Sequence, residues 1–179
     1  MDLCIQRHCH HSHAVTAVLF LGNLIVTGSL DGAVSLINIL FSELVERINL
    51  PMKCGGVTCI SSSSADAASG TFVAGTDSGR LAKVSFSDLE VSETPRALAL
   101  MLTGSLVQVV TCRAHAGAVT RVDATTLARN RVVTSGADGC IRVCEAAALE
   151  RALVCIRVHS GSVTTFVCFS DGTMWTGGA

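Results

Sequence analysis

One short phrase recurs along this chain and constrains its fold more than any other feature. It has the form His-x-x-x-Val-Thr and is followed, after an apolar stretch, by a segment rich in Thr, Ser and Gly that ends on Asp-Gly. Copies begin at His11, His115 and His159, a weaker copy begins at Lys53, and the last stops at Ala179, where Asp-Gly is due. Sequence repeats of this kind form supersecondary units that bury a core only by stacking on one another.

The spacing of the copies indicates the fold class. Val15, Val57, Val119 and Val163 hold the same place in each copy and lie 42, 62 and 44 residues apart. Short runs of Val, Ile, Thr and Phe alternate with Gly, Asp, Asn and Ser, which is the pattern of an all-β chain. A period of about 40–45 residues with four strands is typical of propeller blades. We predict an all-β fold, a partial β-propeller of about three and a half four-stranded units that is not closed.

We expect residues 1–179 to form one domain of four units at about 11–50, 53–111, 115–157 and 159–179. Residues 87–104 are predicted to be an insertion with a short helix, and 3–7 an orphan outermost strand. Because the last unit breaks off inside the phrase, we expect the chain to be part of a longer protein; the alternative is that a partner supplies the missing blades. The predicted strands are 15–20, 24–27, 33–39 and 44–50; 57–61, 71–74, 80–86 and about 106–111; 119–124, 131–134, 140–144 and 152–157; 163–169 and 173–176.

The units resemble the WD-repeat family, over about residues 3–179. In that family a buried hydrogen-bond network joins a His, a Ser or Thr, an Asp in a turn and a Trp. Burying an Asp and a His is tolerable only when they hydrogen-bond to each other. No Trp-Asp pair is present; Ile37-Asn38, Val84-Ser85 and Cys144-Glu145 take its places, so we expect partial networks. The resemblance implies network roles for His11, Thr27, Asp31, His115, Thr134, Asp138, His159 and Thr176.

The resemblance also implies where protein partners bind. WD-repeat proteins contact partners near the start of the first strand and at the residue before the turn Asp, which predicts Thr16, Leu30, Asp77 and Thr120. The insertion is a second candidate, because long loops are often functional, and it offers Leu98, Leu100 and Leu102. Packing of the insertion onto its own unit is the alternative.

Composition and motifs narrow the function. A net charge of −1 argues against a nucleic-acid-binding surface, and no apolar run has the length of a membrane span. The N-terminus lacks the pattern of a signal peptide, so the nine cysteines are expected to be reduced thiols in an intracellular protein. No catalytic, phosphate-binding or dinucleotide motif is present, and Asp77-Ser78-Gly79 is predicted to be a turn. We predict no enzyme activity, no cofactor, no resident metal and no small-molecule substrate.

One cluster suggests a different class of function. Cysteines and histidines are concentrated near the N-terminus. Zinc sites usually combine two ligand pairs that lie apart in the sequence, and this sequence has no second pair to complete the cluster. A metal or redox role is therefore the alternative from another class. The cluster consists of Cys4, His8, Cys9, His10, His11 and His13.

The leading hypothesis is a non-catalytic scaffold for protein partners in a multi-subunit complex. The order of the units, with a second unit that lacks its His and carries an insertion, is similar to WD-repeat subunits of the rixosome, a large-ribosomal-subunit assembly complex. That resemblance implies a nuclear role in ribosome assembly, with sister subunits rather than RNA as partners. A signalling or ubiquitin-ligase adaptor is the alternative within the same class.

Overall fold

The computed structural model describes residues 10–40, 42–62, 70–86, 107–124, 130–169 and 171–179. The predicted strand at 3–7 and the body of the predicted insertion lie outside the described residues. The strands are β1 (Val15–Leu21), β2 (Leu24–Ser29), β3 (Ala33–Asn38), β4 (Glu43–Asn49), β5 (Val57–Ser62), β6 (Thr71–Thr76), β7 (Arg80–Ser85), β8 (Gln108–Arg113), β9 (Val119–Asp123), β10 (Arg131–Gly136), β11 (Cys140–Glu145), β12 (Ala152–Arg157), β13 (Val163–Cys168) and β14 (Met174–Gly178).

The described strands form four antiparallel sheets, three of them four-stranded meanders and the fourth a two-stranded hairpin. Sheet 1 is β1–β4, sheet 2 is β5–β8, sheet 3 is β9–β12, and sheet 4 is the pair β13–β14. The turns between the second and third strands need glycine, since Gly32, Gly79 and Gly139 have φ of 76°, 78° and 77°. Within the part of the chain that the structure describes, three four-stranded sheets and one two-stranded sheet are present and none is closed, which confirms the prediction of an all-β partial propeller.

Some strand ends differ from the predicted ones. β8 was predicted at about 106–111 but begins and ends two residues later, because Leu81 pairs with Cys112 and Arg80 pairs with Arg113. The first strand of the second unit was predicted to end at Ser61, yet β5 runs to Ser62, where the Ser62 hydroxyl donates to Thr71 O at 2.8 Å. A 3₁₀ turn at Met52–Cys54, which the sequence did not suggest, leads into sheet 2.

The core lies between the sheets and not within any one of them. Val26 and Leu36 of sheet 1 pack against Phe72 of sheet 2. Val73 of sheet 2 packs against Val119 of sheet 3, and the same arrangement recurs between sheets 3 and 4. Each sheet therefore depends on its neighbours for its buried apolar surface, as expected for stacked repeats.

This topology places the candidate sites. The first strands β1, β5, β9 and β13 contact one another in order and form the inner edge of the arc. The turns at 30–32, 77–79 and 137–139 share one end of the sheets with the connections between sheets. We call this end the turn rim. None of the described residues forms a helix long and apolar enough to cross a membrane.

Candidate functional site

Sheet 3 holds a hydrogen-bonded network around a buried histidine. The His115 ring is 1% exposed; its Nδ1 lies 2.9 Å from Asp138 Oδ1 and its Nε2 lies 2.9 Å from Thr134 Oγ1. The other Asp138 oxygen accepts from Ala116 N at 2.9 Å, and Cys140 N donates to Asp138 Oδ1 at 3.1 Å. The network thus ties the segment before β9 to β10 and to the turn after it.

Burial and hydrogen bonding set the charges of this network. Burial lowers the pKa of His115, which favours the neutral ring. Burial alone would raise the pKa of Asp138, but hydrogen bonds from Ala116 N and from His115 outweigh it and hold that pKa below its usual value. A neutral ring with its proton on Nδ1 donates to Asp138 and accepts at Nε2 from the Thr134 hydroxyl. The ring nitrogens of His115, the Thr134 hydroxyl and both Asp138 carboxylate oxygens then all have hydrogen-bond partners within the protein.

Sheet 1 repeats the network with an added cation. His11 Nε2 lies 2.9 Å from Thr27 Oγ1, and His11 Nδ1 lies 3.2 Å from Asp31 Oδ2. Arg47 Nη2 donates to the same Asp31 oxygen at 3.1 Å and Nη1 donates to His10 O at 2.6 Å. Burial opposes ionisation of Asp31, yet hydrogen bonds from Ser12 N and Ala33 N and the His11 ring lower its pKa to about 2.

The other two sheets carry reduced versions. In sheet 4, His159 Nε2 lies 3.0 Å from Thr176 Oγ1. In sheet 2, where Lys53 stands in place of the histidine, Ser78 Oγ donates to Cys54 O at 2.6 Å and Asp77 Oδ1 accepts from Gly56 N at 3.0 Å. The connection into sheet 2 is therefore held by the turn residues themselves.

The two threonines predicted to bind partners, Thr16 and Thr120, join neighbouring sheets, and Thr58 does so in the same way. Thr16 Oγ1 donates to Val57 O at 2.5 Å, Thr58 Oγ1 to Val119 O at 2.6 Å, and Thr120 Oγ1 to Val163 O at 2.6 Å. We call these three bonds the threonine ladder. It runs along a groove of about 460 Å³ at the inner edge of the arc. The hydroxyls of Thr16 and Thr120 already donate to acceptors within the molecule. A partner protein would therefore contact these side chains only as part of the groove wall.

The structure brings Leu30 and Asp77 together in one groove on the turn rim. This rim groove, of about 520 Å³, is also lined by Pro51, Met52 and Gly56. Met52 is 100% exposed and Leu30 is 45% exposed. Asp77, in the turn between β6 and β7, is also exposed. The sequence did not point to Met52, because its position depends on the 3₁₀ turn between the sheets.

The floor of the rim groove is held by close backbone packing. A Cβ built on Gly56 would lie 2.9 Å from Leu30 Cα and 3.1 Å from Asp77 Oδ2. Gly55 has φ of 68° and packs still closer to the Asp77 carboxylate. The Leu30 backbone and the Asp77 carboxylate fill the space in which a side chain at Gly55 or Gly56 would lie, so only glycine allows the two to approach this connection so closely.

Burial makes the thiols of five described cysteines poorly suited to redox or metal chemistry. Burial raises the pKa of the Cys112 and Cys168 thiols to about 11 and also raises the pKa of Cys54, Cys59 and Cys144. The thiolate is the nucleophile and the ligand, so a raised pKa lowers reactivity at neutral pH. Among the described residues, no group of three or more His, Cys, Asp and Glu side chains is placed to hold a metal ion.

Several predicted site residues lie outside the described part of the chain. These are Leu98, Leu100 and Leu102 of the predicted insertion, and Cys4, His8 and Cys9 of the N-terminal cluster. Of the described histidines in that cluster, His11 belongs to the sheet 1 network, and the His13 ring lies 3.1 Å from Ser12 Oγ.

Comparison with solved structures finds the same fold elsewhere. The crystal structure of the computationally designed Ika4 protein matches with a TM-score of 0.65 and 22% identity, over 94% of this chain and 92% of that one. A chain of the Mitotic Checkpoint Complex matches with a TM-score of 0.69 and 14% identity, over 95% of this chain and 46% of that one. The designed Ika8 protein matches with a TM-score of 0.65 and 21% identity, over 94% and 47%.

The chain thus spans nearly all of Ika4 but less than half of the other two chains. At these identities the likeness concerns the fold alone. No protein-family model matches the sequence, and no curated protein matches it.

Proposed function

We propose that this protein is a non-catalytic scaffold that binds a partner protein in the rim groove. The observation that carries the proposal is that Leu30 and Met52, 45% and 100% exposed, line one groove together with Asp77. Exposed apolar side chains grouped in a concave surface are typical of interaction sites. The fold also occurs in the Mitotic Checkpoint Complex, which supports its use within protein assemblies.

The groove suggests the chemistry of the partner. Its apolar side chains favour a partner residue such as Leu, Met or Phe, while Asp77 favours a neighbouring Lys or Arg. The methionine suits a surface that adapts to its ligand, since its side chain is flexible and polarisable. The expected ligand is a short protein segment with an apolar residue beside a basic one.

Capture experiments with matched variants test the proposal. The full chain is used as bait as wild type, as Met52→Glu and as Leu30→Glu. The control is Leu40→Glu, because Leu40 is 59% exposed but lies in the turn after β3, at the end opposite the turn rim. We expect a set of proteins that binds wild type and the control but is lost from both groove variants. Equal capture by all four baits would refute the proposal.

The same experiment separates the candidate assemblies. If the protein acts in ribosome assembly in the nucleus, the groove-dependent proteins include ribosome-assembly factors. If it is a signalling or ubiquitin-ligase adaptor, the groove-dependent set contains those components instead. Metal analysis of the purified chain tests the metal or redox alternative, which requires stoichiometric zinc that is lost on changing Cys9 and His10.

A further inference from the structure

The turn of sheet 2 on the turn rim lacks the carboxylate that the equivalent turns of sheets 1 and 3 carry. Asp31 and Asp138 lie in those turns, and each carboxylate is within hydrogen-bond distance of a histidine ring. The register of the strands gives the same place in sheet 2 to Ser78, whose hydroxyl donates to Cys54 O at 2.6 Å. Sheet 2 therefore has a neutral side chain where its neighbours have an anion.

Sheet 2 carries two arginines at the same end. Arg80 begins β7, Arg113 ends β8, and the two residues lie directly opposite each other. Opposed residues in an antiparallel pair have side chains on the same face, with Cβ atoms about 4.5–5.5 Å apart, and like charges placed so are destabilising. The equivalent pairs of sheets 1 and 3 hold at most one cation: Ala33 with Asn49, and Cys140 with Arg157.

A third cation lies beside the two arginines. Lys53 is exposed in the 3₁₀ turn that leads into sheet 2. Burial raises the pKa of the neighbouring Cys54 thiol, whereas the charges of Arg80 and Lys53 oppose that rise, so both cations lie near this sulfur. Arg113 is exposed, and its Nε donates to His115 O at 3.5 Å, which keeps the guanidinium at the turn rim. We call Lys53, Arg80 and Arg113 the basic patch.

The basic patch has no carboxylate partner in the part of the chain that the structure describes. None of its side chains forms an ion pair there, whereas Arg47 of sheet 1 lies 3.1 Å from Asp31. Arg80 is half-buried, so its charge is partly removed from water without a counterion. Asp77 accepts from Gly56 N at 3.0 Å, on the side of the rim groove. A repelling pair of cations without a counterion suits the binding of an external anion better than it suits the stability of the sheet.

The basic patch adjoins the rim groove. Lys53 directly follows Met52 of the groove, and Arg80 lies three residues after Asp77. A protein segment held in the groove therefore has the patch beside it. Guanidinium groups bind carboxylates through two parallel hydrogen bonds, so each arginine can take one carboxylate. The spread of the patch over two strands and a turn fits a row of single charges.

We propose that the basic patch binds an acidic stretch of the partner protein, with carboxylates paired to Arg80 and Arg113 and a further one to Lys53. The inference rests on the proposed function in one respect, namely that the acidic stretch belongs to the segment held in the rim groove. The complete ligand then has an apolar residue for the groove, a basic residue for Asp77 and acidic residues for the patch. Complementary charge of this kind fixes the register of the bound segment and speeds its association.

Degenerate peptide libraries are the probes. Each fluorescein-labelled library has one fixed central block among neutral residues, which is three glutamates, three glutamines or one phosphoserine. The full chain is titrated at constant ionic strength as wild type, as Arg80→Gln and as Arg113→Gln. The matched control is Arg157→Gln, because Arg157 is exposed and has the register position of Arg113, but lies opposite Cys140.

Wild type is expected to bind the glutamate library at least about tenfold more tightly than the glutamine library, which is the strength of one charge-assisted hydrogen bond. Arg80→Gln and Arg113→Gln should each weaken binding of the glutamate library about tenfold, while Arg157→Gln leaves it unchanged. The proposal is overturned by a wild type without glutamate preference, by a preference that survives both arginine variants, by an equal loss in the control, or by binding of the phosphoserine library alone. Displacement of the glutamate library by oligouridylate at lower concentration than by unlabelled glutamate peptides would assign the patch to nucleic acid and also overturn it.

Two further measurements separate this proposal from folding defects and from the proposed function. Without peptide, Arg113→Gln should melt at or above the temperature of wild type, since it removes the repulsion from Arg80; a clearly lower melting temperature would show that the pair serves the fold and would count against the proposal. The neutral groove variant Leu30→Ser should keep the preference for glutamate over glutamine. If that preference is absent while the groove variants still lose their captured proteins, this proposal fails and the proposed function stands.

Discussion

Replacing Thr134 with valine tests whether the buried network of sheet 3 stabilises the fold. Thr134 is 0% exposed and its hydroxyl lies 2.9 Å from Nε2 of His115, which is itself 1% exposed. Valine preserves the size and the strand preference of threonine but removes the hydroxyl. The change leaves a buried ring nitrogen without its partner, which costs about 1–3 kcal/mol.

The same substitution in sheet 4 is a matched control. Thr176 Oγ1 makes the equivalent bond to His159 at 3.0 Å, but His159 is only half-buried. Water can replace the hydroxyl there, so Thr176→Val should cost about 0.5–1 kcal/mol.

Urea unfolding followed by circular dichroism measures both effects. All proteins are compared at one concentration, because self-association would stabilise the folded chain by mass action. We expect Thr134→Val to lower the free energy of unfolding by at least about 1 kcal/mol more than Thr176→Val does. Equal losses for the two variants, or no loss for Thr134→Val, would show that the buried bond does not contribute as argued.

Three further predictions follow from packing and ionisation. Gly75→Ala should destabilise the chain by about 1–3 kcal/mol, because the new Cβ would lie 2.6 Å from Val119 Cγ1. Gly177→Ala should leave thermal stability nearly unchanged, and thermal melts that show the reverse order would contradict the packing described. Stability should fall with acid in two stages. Below pH 6.5 the unfolded chain takes up a proton at His115 more readily than the folded chain, because burial lowers the pKa of that ring in the fold. Below pH 3.8 the same holds for Asp31, whose pKa in the fold is about 2. Urea midpoints that stay constant below pH 6.5 would refute this. Alkylation of native Cys112 at pH 7 should be slower than in the urea-unfolded chain, because its thiol pKa is about 11; equal rates measured by mass spectrometry would refute it.

Much of the fold followed from local patterns. The Asp-Gly turn at Asp31 and Gly32 and the alternation of apolar residues act over a few positions, so they predict strands and their order without knowledge of the neighbours. The histidine, threonine and aspartate singled out in the third repeat do meet, because their spacing places them before β9, within the adjacent β10 and in the turn after β10. The ends of strands were predicted less accurately. The bounds of β8, for example, are set by its pairing with β7 and not by its own sequence.

The inter-sheet contacts could not be predicted in this way. The threonine ladder joins Thr16 to Val57 across two different sheets, and only their packing sets that distance. Met52 joins Leu30 and Asp77 in the rim groove because the connection between sheets folds back over the turn, which no short pattern specifies.

The sequence by itself determined the repeating units, the order of their strands and the histidine–threonine pairs of sheets 1, 3 and 4, because these depend on spacing along the chain. Only the tertiary structure decided which copies of an equivalent residue are buried. Val15 and Val163 begin the same phrase, yet one is 51% exposed and the other 0%, because burial depends on the sheet that packs against each of them.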